Sequence, residues 1–165
     1  MSPTDFLTQV LMPGLTWLEK VVGPVPPASR GARIMLLAIP GQESLWQNVQ
    51  QFGGGPGRGF YQDEPETCGL VLNNPASSGM MHMVCNALSV AANEQAIYAA
   101  LLGQPKLQVA LGRGDLFCDP RPLPTYGDAR AAWVYYKRDW GPGDPHPAIW
   151  DGIYAQAIAA DKGNP

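Results

Sequence analysis

Residues 32–46 read ARIMLLAIPGQESLW. Ile34 to Ile39 are apolar on every face a helix would present, so the pattern predicts a central helix rather than a surface one. It is expected to begin near Ser29 and to run to about Ser44. Pro40 lies inside it and should bend its last turn, because proline brings no N–H to the ladder. The helix ends on a carboxylate, Glu43. There the negative end of the helix dipole acts on it, and the surrounding core removes its water. Both effects disfavour the charged form and raise the pKa. A carboxyl group that keeps its proton near neutral pH is what a general acid requires.

Working outward, Ser2-Pro3-Thr4-Asp5 is a helix start, with a capping serine, a proline at the first position and an acid at the third. Phe6, Val10, Leu11, Leu15, Leu18 and Val21 continue it to about residue 22, with a kink expected near Pro13-Gly14. A proline-rich linker follows over residues 23–27. Residues 52–59, FGGGPGRG, form a glycine-rich loop, and Phe60-Tyr61-Gln62 a short strand or a turn. Further helices are expected over about 63–73, from about Ser78, from Asn93-Glu94, from Pro105 to about Phe117, from Asp128 to about Trp140 and from Pro147 to about Ala160. Residues 119–127 and 141–147 are rigid, proline-rich loops. The expected architecture is mainly α, with roughly six to eight helices and a small β or irregular patch beside a cleft. Residues 1–165 form one domain, on which the N-terminal helix and linker of 1–28 pack.

The composition narrows the chemistry. Apolar residues make up 45% of 165, enough for a core, while charged residues are only 15% and the net charge is −3. That balance argues against a nucleic-acid partner held by phosphate contacts, and no apolar run reaches the ~20 residues of a membrane span. The N-terminus lacks the basic and apolar regions of a secretory signal. Cys68, Cys85 and Cys118, without CxxC spacing, are read as three buried thiols in a reducing compartment, with one disulfide as the alternative. With His82 and His146 the only histidines, no metal site and no cofactor are expected. His82, between methionines, reads as packing. No GK[ST] follows a strand, so the glycine-rich loop is not a phosphate cradle.

Glu43-Ser44 at the end of a buried helix, followed by Gly59-Phe60-Tyr61-Gln62, resembles the lysozyme-like superfamily, in particular lytic transglycosylases and goose-type lysozymes. Gly41-Gln42-Glu43-Ser44 with Trp46, the run Gly57 to Glu64, and the run Tyr135 to His146 also resemble a group of small phage and prophage proteins over most of residues 30–155. Pro40, Asp63 and the missing Asn/Tyr motif depart from the transglycosylase pattern. The resemblance implies a lysozyme-like fold and a peptidoglycan-cleaving glycosidase that cuts the MurNAc–GlcNAc β-1,4 bond, with glycan strands as partner and, in a virion, other phage proteins. It implies location in a phage virion or the host cytoplasm, with action on the periplasmic wall.

Cleaving that bond needs an acid for the leaving oxygen and help for an oxocarbenium-like transition state. Glu43 is the acid. Glu64 is the first choice for a second carboxylate from the acidic cluster Asp63, Glu64 and Glu66; otherwise these acids only favour the start of the next helix. Without a second carboxylate, the transglycosylase route is open, in which the sugar's own 6-hydroxyl attacks. Trp46, Phe60, Tyr61, Tyr135 and Trp140 are candidate platforms for sugar rings, and Ser44, Arg58 and Gln62 candidate donors. His146, held between prolines, is placed at the cleft rim or orders a turn. Ser44 bonds either Glu43 or the backbone of the facing loop. The competing expectation, favoured by the net negative charge, is a non-enzymatic virion or ejection protein that retains a lysozyme-like body.

Overall fold

Ser2 Oγ accepts a hydrogen bond from the Asp5 N–H at 3.1 Å, and the Asp5 carboxylate accepts in return from Ser2 N–H. This capping box opens α1 (Pro3–Phe6), which passes through a π turn (Leu7–Leu11) into α2 (Met12–Val22). Pro13 has no N–H to offer the carbonyl of Gln9, and the widened turn sits where that bond is missing. The expected irregularity therefore falls one turn before Pro13, and the helix continues. The computed structural model describes residues 1–23, 29–141 and 146–162. The linker after Gly23 and the middle of the loop before His146 lie outside the described residues.

Ser29 caps α3 (Arg30–Ser44) by accepting from Ala32 N–H. Ile34 to Ile39 are fully buried, as their pattern predicts. Near its start, Arg33 pairs with Asp161 at 2.5 Å, and Asp161 is wholly buried. Pro40 does not end the helix. It leaves the Leu36 carbonyl without its usual donor, and the Tyr61 hydroxyl donates to that carbonyl at 2.9 Å. The Trp46 indole N–H donates to the next carbonyl, Leu37, also at 2.9 Å. A buried carbonyl without a donor costs about 1–3 kcal/mol, so these two aromatic side chains repair the backbone around the proline. Past Ser44 the chain turns through Leu45 and Trp46 in left-handed conformations, φ 51° and 55°. That reversal lays the Trp46 ring on Gly41, where a Cβ would stand 2.5 Å from the ring and 2.6 Å from Ile153.

The β patch is a two-stranded antiparallel ribbon, β1 (Val49–Gln50) against β2 (Arg58–Gly59). Phe60 to Gln62 form a turn. Then come α4 (Pro65–Asn73), α5 (Ser78–Ala87), α6 (Glu94–Ala100), α7 (Pro105–Cys118), α8 (Ala129–Asp139) and α9 (Pro147–Asp161). Asn93 and Asp128 cap α6 and α8 with side-chain oxygens, as their positions before apolar runs predict. Counted through the π turn, the helices number eight among the described residues.

Two apolar clusters fill the interior. One joins α3 to α8 and α9, where Tyr136 stacks on Trp150 with centroids 5.2 Å apart. The other joins α4, α5 and α7 and holds Cys68 and Cys85; Cys118 is half-buried, and all three are free thiols. His82 is exposed on α5 and does not pack, because its turn of the helix faces away from that cluster. The buried carboxamide of Gln108 on α7 ties the ribbon down. It accepts from Phe60 N–H at 2.7 Å and donates to Leu101 and Asn48. Gly59, at φ 78°, approaches it so closely that a Cβ would meet its oxygen at 2.4 Å. Among the described residues, no helix is long and apolar enough to cross a membrane.

Tyr61→Phe should lower stability by about 1–2 kcal/mol through the unpaired Leu36 carbonyl. Gly41→Ala should cost about 1–3 kcal/mol by displacing the Trp46 ring. Urea midpoints with unchanged slopes would show both effects, and an unshifted Tyr61→Phe midpoint would mean that Leu36 has found another donor.

Candidate active site

A groove of about 970 Å³ opens beside the C-terminal end of α3. Its near wall is Gln42, Glu43 and Ser44. The Glu43 side chain is half-buried and faces this space, neither sealed in the core nor turned to bulk solvent. Burial pushes its carboxyl pKa up. A hydrogen bond from the Tyr136 hydroxyl to Oε1, 2.6 Å long, opposes that shift, the charge of Glu64 adds to it and His146 reduces it. Tyr136 holds its own proton firmly, since burial and the adjacent Glu43 raise its pKa well above the phenol range.

Glu64 occupies the N-cap position of α4 but makes no capping bond; it faces Glu43 across the groove. Asp63, beside it, is only 2% exposed and sits at the groove floor, and neither carboxylate oxygen has a hydrogen-bond partner. Burial, Asp115 and Glu43 together hold its pKa well above the carboxylate range. Asp115, projecting from α7, is pushed up to about 7 by burial and by Asp139. Asp139 at the end of α8 is bridged by Arg121 and Arg138.

Ser44 Oγ donates to the Phe60 carbonyl at 2.7 Å, with the Pro40 carbonyl 3.1 Å away. Of its two expected partners the facing loop is the one found, so Ser44 fastens the end of α3 to the 60–62 turn. Gln62 lines the groove in a left-handed conformation, φ 53°, with its amide donating to the Val49 and Gly59 carbonyls. Left-handed conformations at Leu45, Trp46 and Gln62 each cost on the order of 1 kcal/mol and flank one site. Trp140 lines the groove, and its indole N–H donates to the Tyr61 carbonyl. His146 lies at the rim, just before α9, where its carbonyl accepts from Gln42.

Phe60 is buried against Phe6 in the core, and four more expected groove residues lie elsewhere. Trp46 is 4% exposed and Tyr61 fully buried, because each is committed to a carbonyl near Pro40. Arg58 turns away, stacks 3.9 Å above the Tyr98 ring and donates to the Tyr98 carbonyl. Tyr135 is buried on the opposite face of α8, beside Pro122, Pro124 and Arg138. A platform must be reachable, and none of these four lines the groove. Conversely, Gln42, Tyr136, Asp115 and Asp139 line it without having been anticipated. A carboxylate in the otherwise buried run Leu107–Leu116 was the available signal for Asp115. For Tyr136, helical geometry put one member of the Tyr135-Tyr136 pair on the inner face, and the sequence did not say which.

No protein-family model matches the chain, and neither a curated protein nor a solved structure matches it. The chemistry of the groove therefore carries the functional argument.

Tyr136→Phe removes the bond that favours the charged form, so the Glu43 pKa should rise further. Carboxyl-carbon NMR titration reads this directly, and an unmoved pKa would show the bond to be idle. The Asp115 pKa is raised by folding, so its contribution to stability is complete below its ordinary value of 3.8 and is lost as pH rises through about 7. Stability should fall over that window, and Asp115→Asn should flatten the fall by up to about 4 kcal/mol in urea midpoints taken against pH.

Proposed function

We infer that the protein is a peptidoglycan-cleaving glycosidase that cuts the MurNAc–GlcNAc β-1,4 bond, with Glu43 as general acid. The observation that carries this reading is the half-buried Glu43 carboxyl, its pKa raised by burial, facing a groove of about 970 Å³. Such a group gives its proton to the glycosidic oxygen as the bond breaks. The Tyr136 hydroxyl then stabilises the carboxylate left behind, since a hydrogen bond to a charged acceptor is stronger than one to a neutral one. Trp140 offers the flat face on which a sugar ring packs, and Gln62 and Ser44 border the same space.

Glu64 shares the groove with Glu43 and is the group that activates water if the reaction is a hydrolysis. If the 6-hydroxyl of N-acetylmuramic acid attacks instead, Glu43 serves first as acid and then as base, and the product is a 1,6-anhydro sugar. The setting that fits is a phage or prophage wall-degrading protein. The net charge of −3 favours one second reading, a virion or ejection protein in which the body is structural.

On purified sacculi, Glu43→Gln should reduce cleavage by about 10²–10⁴-fold while leaving the melting temperature unchanged or higher. Retained cleavage in that variant would remove Glu43 from the role of acid. Absence of cleavage by the unaltered protein from about pH 5 to 8 would favour the structural reading. Mass spectrometry of the products separates reducing ends from 1,6-anhydro ends.

A further inference from the structure

Six carboxylates line the groove, and His146 is the one basic side chain among the described lining residues. They are not equivalent. Glu43 is bonded by Tyr136, and Asp139 is bridged by two arginines. Asp63 has nothing: both oxygens are buried without a partner, and the charged groups that act on it, Asp115 and Glu43, are also acids. Buried polar groups in folded proteins are nearly always paired, and an unpaired buried carboxyl is costly. Asp115 faces the groove from α7 beside it. Among the described residues, no group of three or more His, Cys, Asp or Glu side chains has a geometry that could hold a metal ion.

We propose that the groove floor formed by Asp63 and Asp115 is a subsite for a primary ammonium group carried by the ligand. An ammonium brings three donors and no acceptor, which matches the unpartnered Asp63 oxygens beside the Asp115 carboxyl, and its charge favours release of their protons as it binds. Its charge is of the sign that the groove lining attracts and an anionic ligand lacks. Leu70, Trp140 and Ile149 line the same groove and supply apolar surface for the ring or alkyl chain that bears the amine. An N-acetyl group in that position presents no cation to the pair. The preferred ligand is a glycan strand with a free 2-amino sugar, or one whose stem peptide carries a free amine. This deepens the glycosidase reading and rests on it for the choice of a glycan.

The test is calorimetric titration near neutral pH with a fully deacetylated glucosamine tetramer, its N-acetylated counterpart and a short peptide with a free lysine amine. The deacetylated tetramer or the peptide should bind at least about tenfold more tightly than the acetylated tetramer. Whichever binds identifies the source of the amine. The preference should vanish in Asp63→Asn and in Asp115→Asn, with binding of the acetylated tetramer unchanged. Melting temperatures establish that each variant is folded, and Asp115→Asn carries the comparison if Asp63→Asn is not. Binding of the acetylated tetramer as tight as or tighter than that of both amine ligands, or a preference that survives in both variants, overturns the proposal. Sacculus cleavage dependent on Glu43 but without any amine preference would overturn the subsite alone. An amine preference without cleavage would overturn the glycosidase reading and leave the subsite standing.

Discussion

Pro40 cannot donate a hydrogen bond, and it sits near the end of a helix buried along most of its length. The Leu36 carbonyl that it strands lies where water cannot reach. The fold meets that need with the Tyr61 hydroxyl and supports the next carbonyl with the Trp46 indole. To deliver them, the chain must reverse immediately after Ser44 and bring the 60–62 turn back against the helix. The left-handed Leu45 and Trp46, the bare Gly41 under the indole and the Ser44 bond to Phe60 all follow from that requirement. The end of α3 is therefore clamped from two sides, and Glu43 emerges from a rigid stub. A general acid gains from such fixing, because a small misplacement of the proton donor is paid in rate.

The electrostatics of the groove run against stability. Carboxyl groups from α3, the 62–64 segment, α7 and α8 face one space, and burial with mutual repulsion raises the pKa of Glu43, Asp63 and Asp115. Packing chosen for folding alone would separate these groups or pair them, as the arginines do for Asp139 and Asp119 at the edge of the same region. A site that keeps acids together with raised pKa values accepts a lower stability at neutral pH, a cost that functional sites commonly carry.

The helices were legible because their signals are local. Ser2, Ser29, Asn93 and Asp128 each stand before an apolar run and each caps with its side chain. Glu43 was legible for a similar reason: its position at the end of an apolar helix fixes both its burial and its direction. The aromatic residues were not. Trp46 and Tyr61 flank Glu43 in sequence, and that nearness suggested sugar contact. Their real partners are the carbonyl that Pro40 strands and the one after it, and nothing in the spacing of residues 46 and 61 announces a bond to residues 37 and 36. Tyr136 and Asp115 escaped for the complementary reason. They reach the groove from helices about 70 to 90 residues away along the chain, and a contact that distant leaves no periodic trace.

Moving Trp46 and Tyr61 into the core changes where a sugar chain would lie. The aromatic surface left in the groove is Trp140, at the end of α8, so the ring next to the acid would pack against the α8 side rather than the α3 side. The same helix supplies Tyr136, which donates to Glu43 and stacks on Trp150 of α9. On the proposed glycosidase reading, one helix thus sets both the sugar platform and the partner of Glu43. Its position relative to α3 is held through α9, whose Asp161 carries the buried pair with Arg33. On that reading, the distance between the proton of Glu43 and a bound sugar would depend on how α9 bridges α3 and α8, and the Arg33–Asp161 pair at the far end of α3 is part of that bridge.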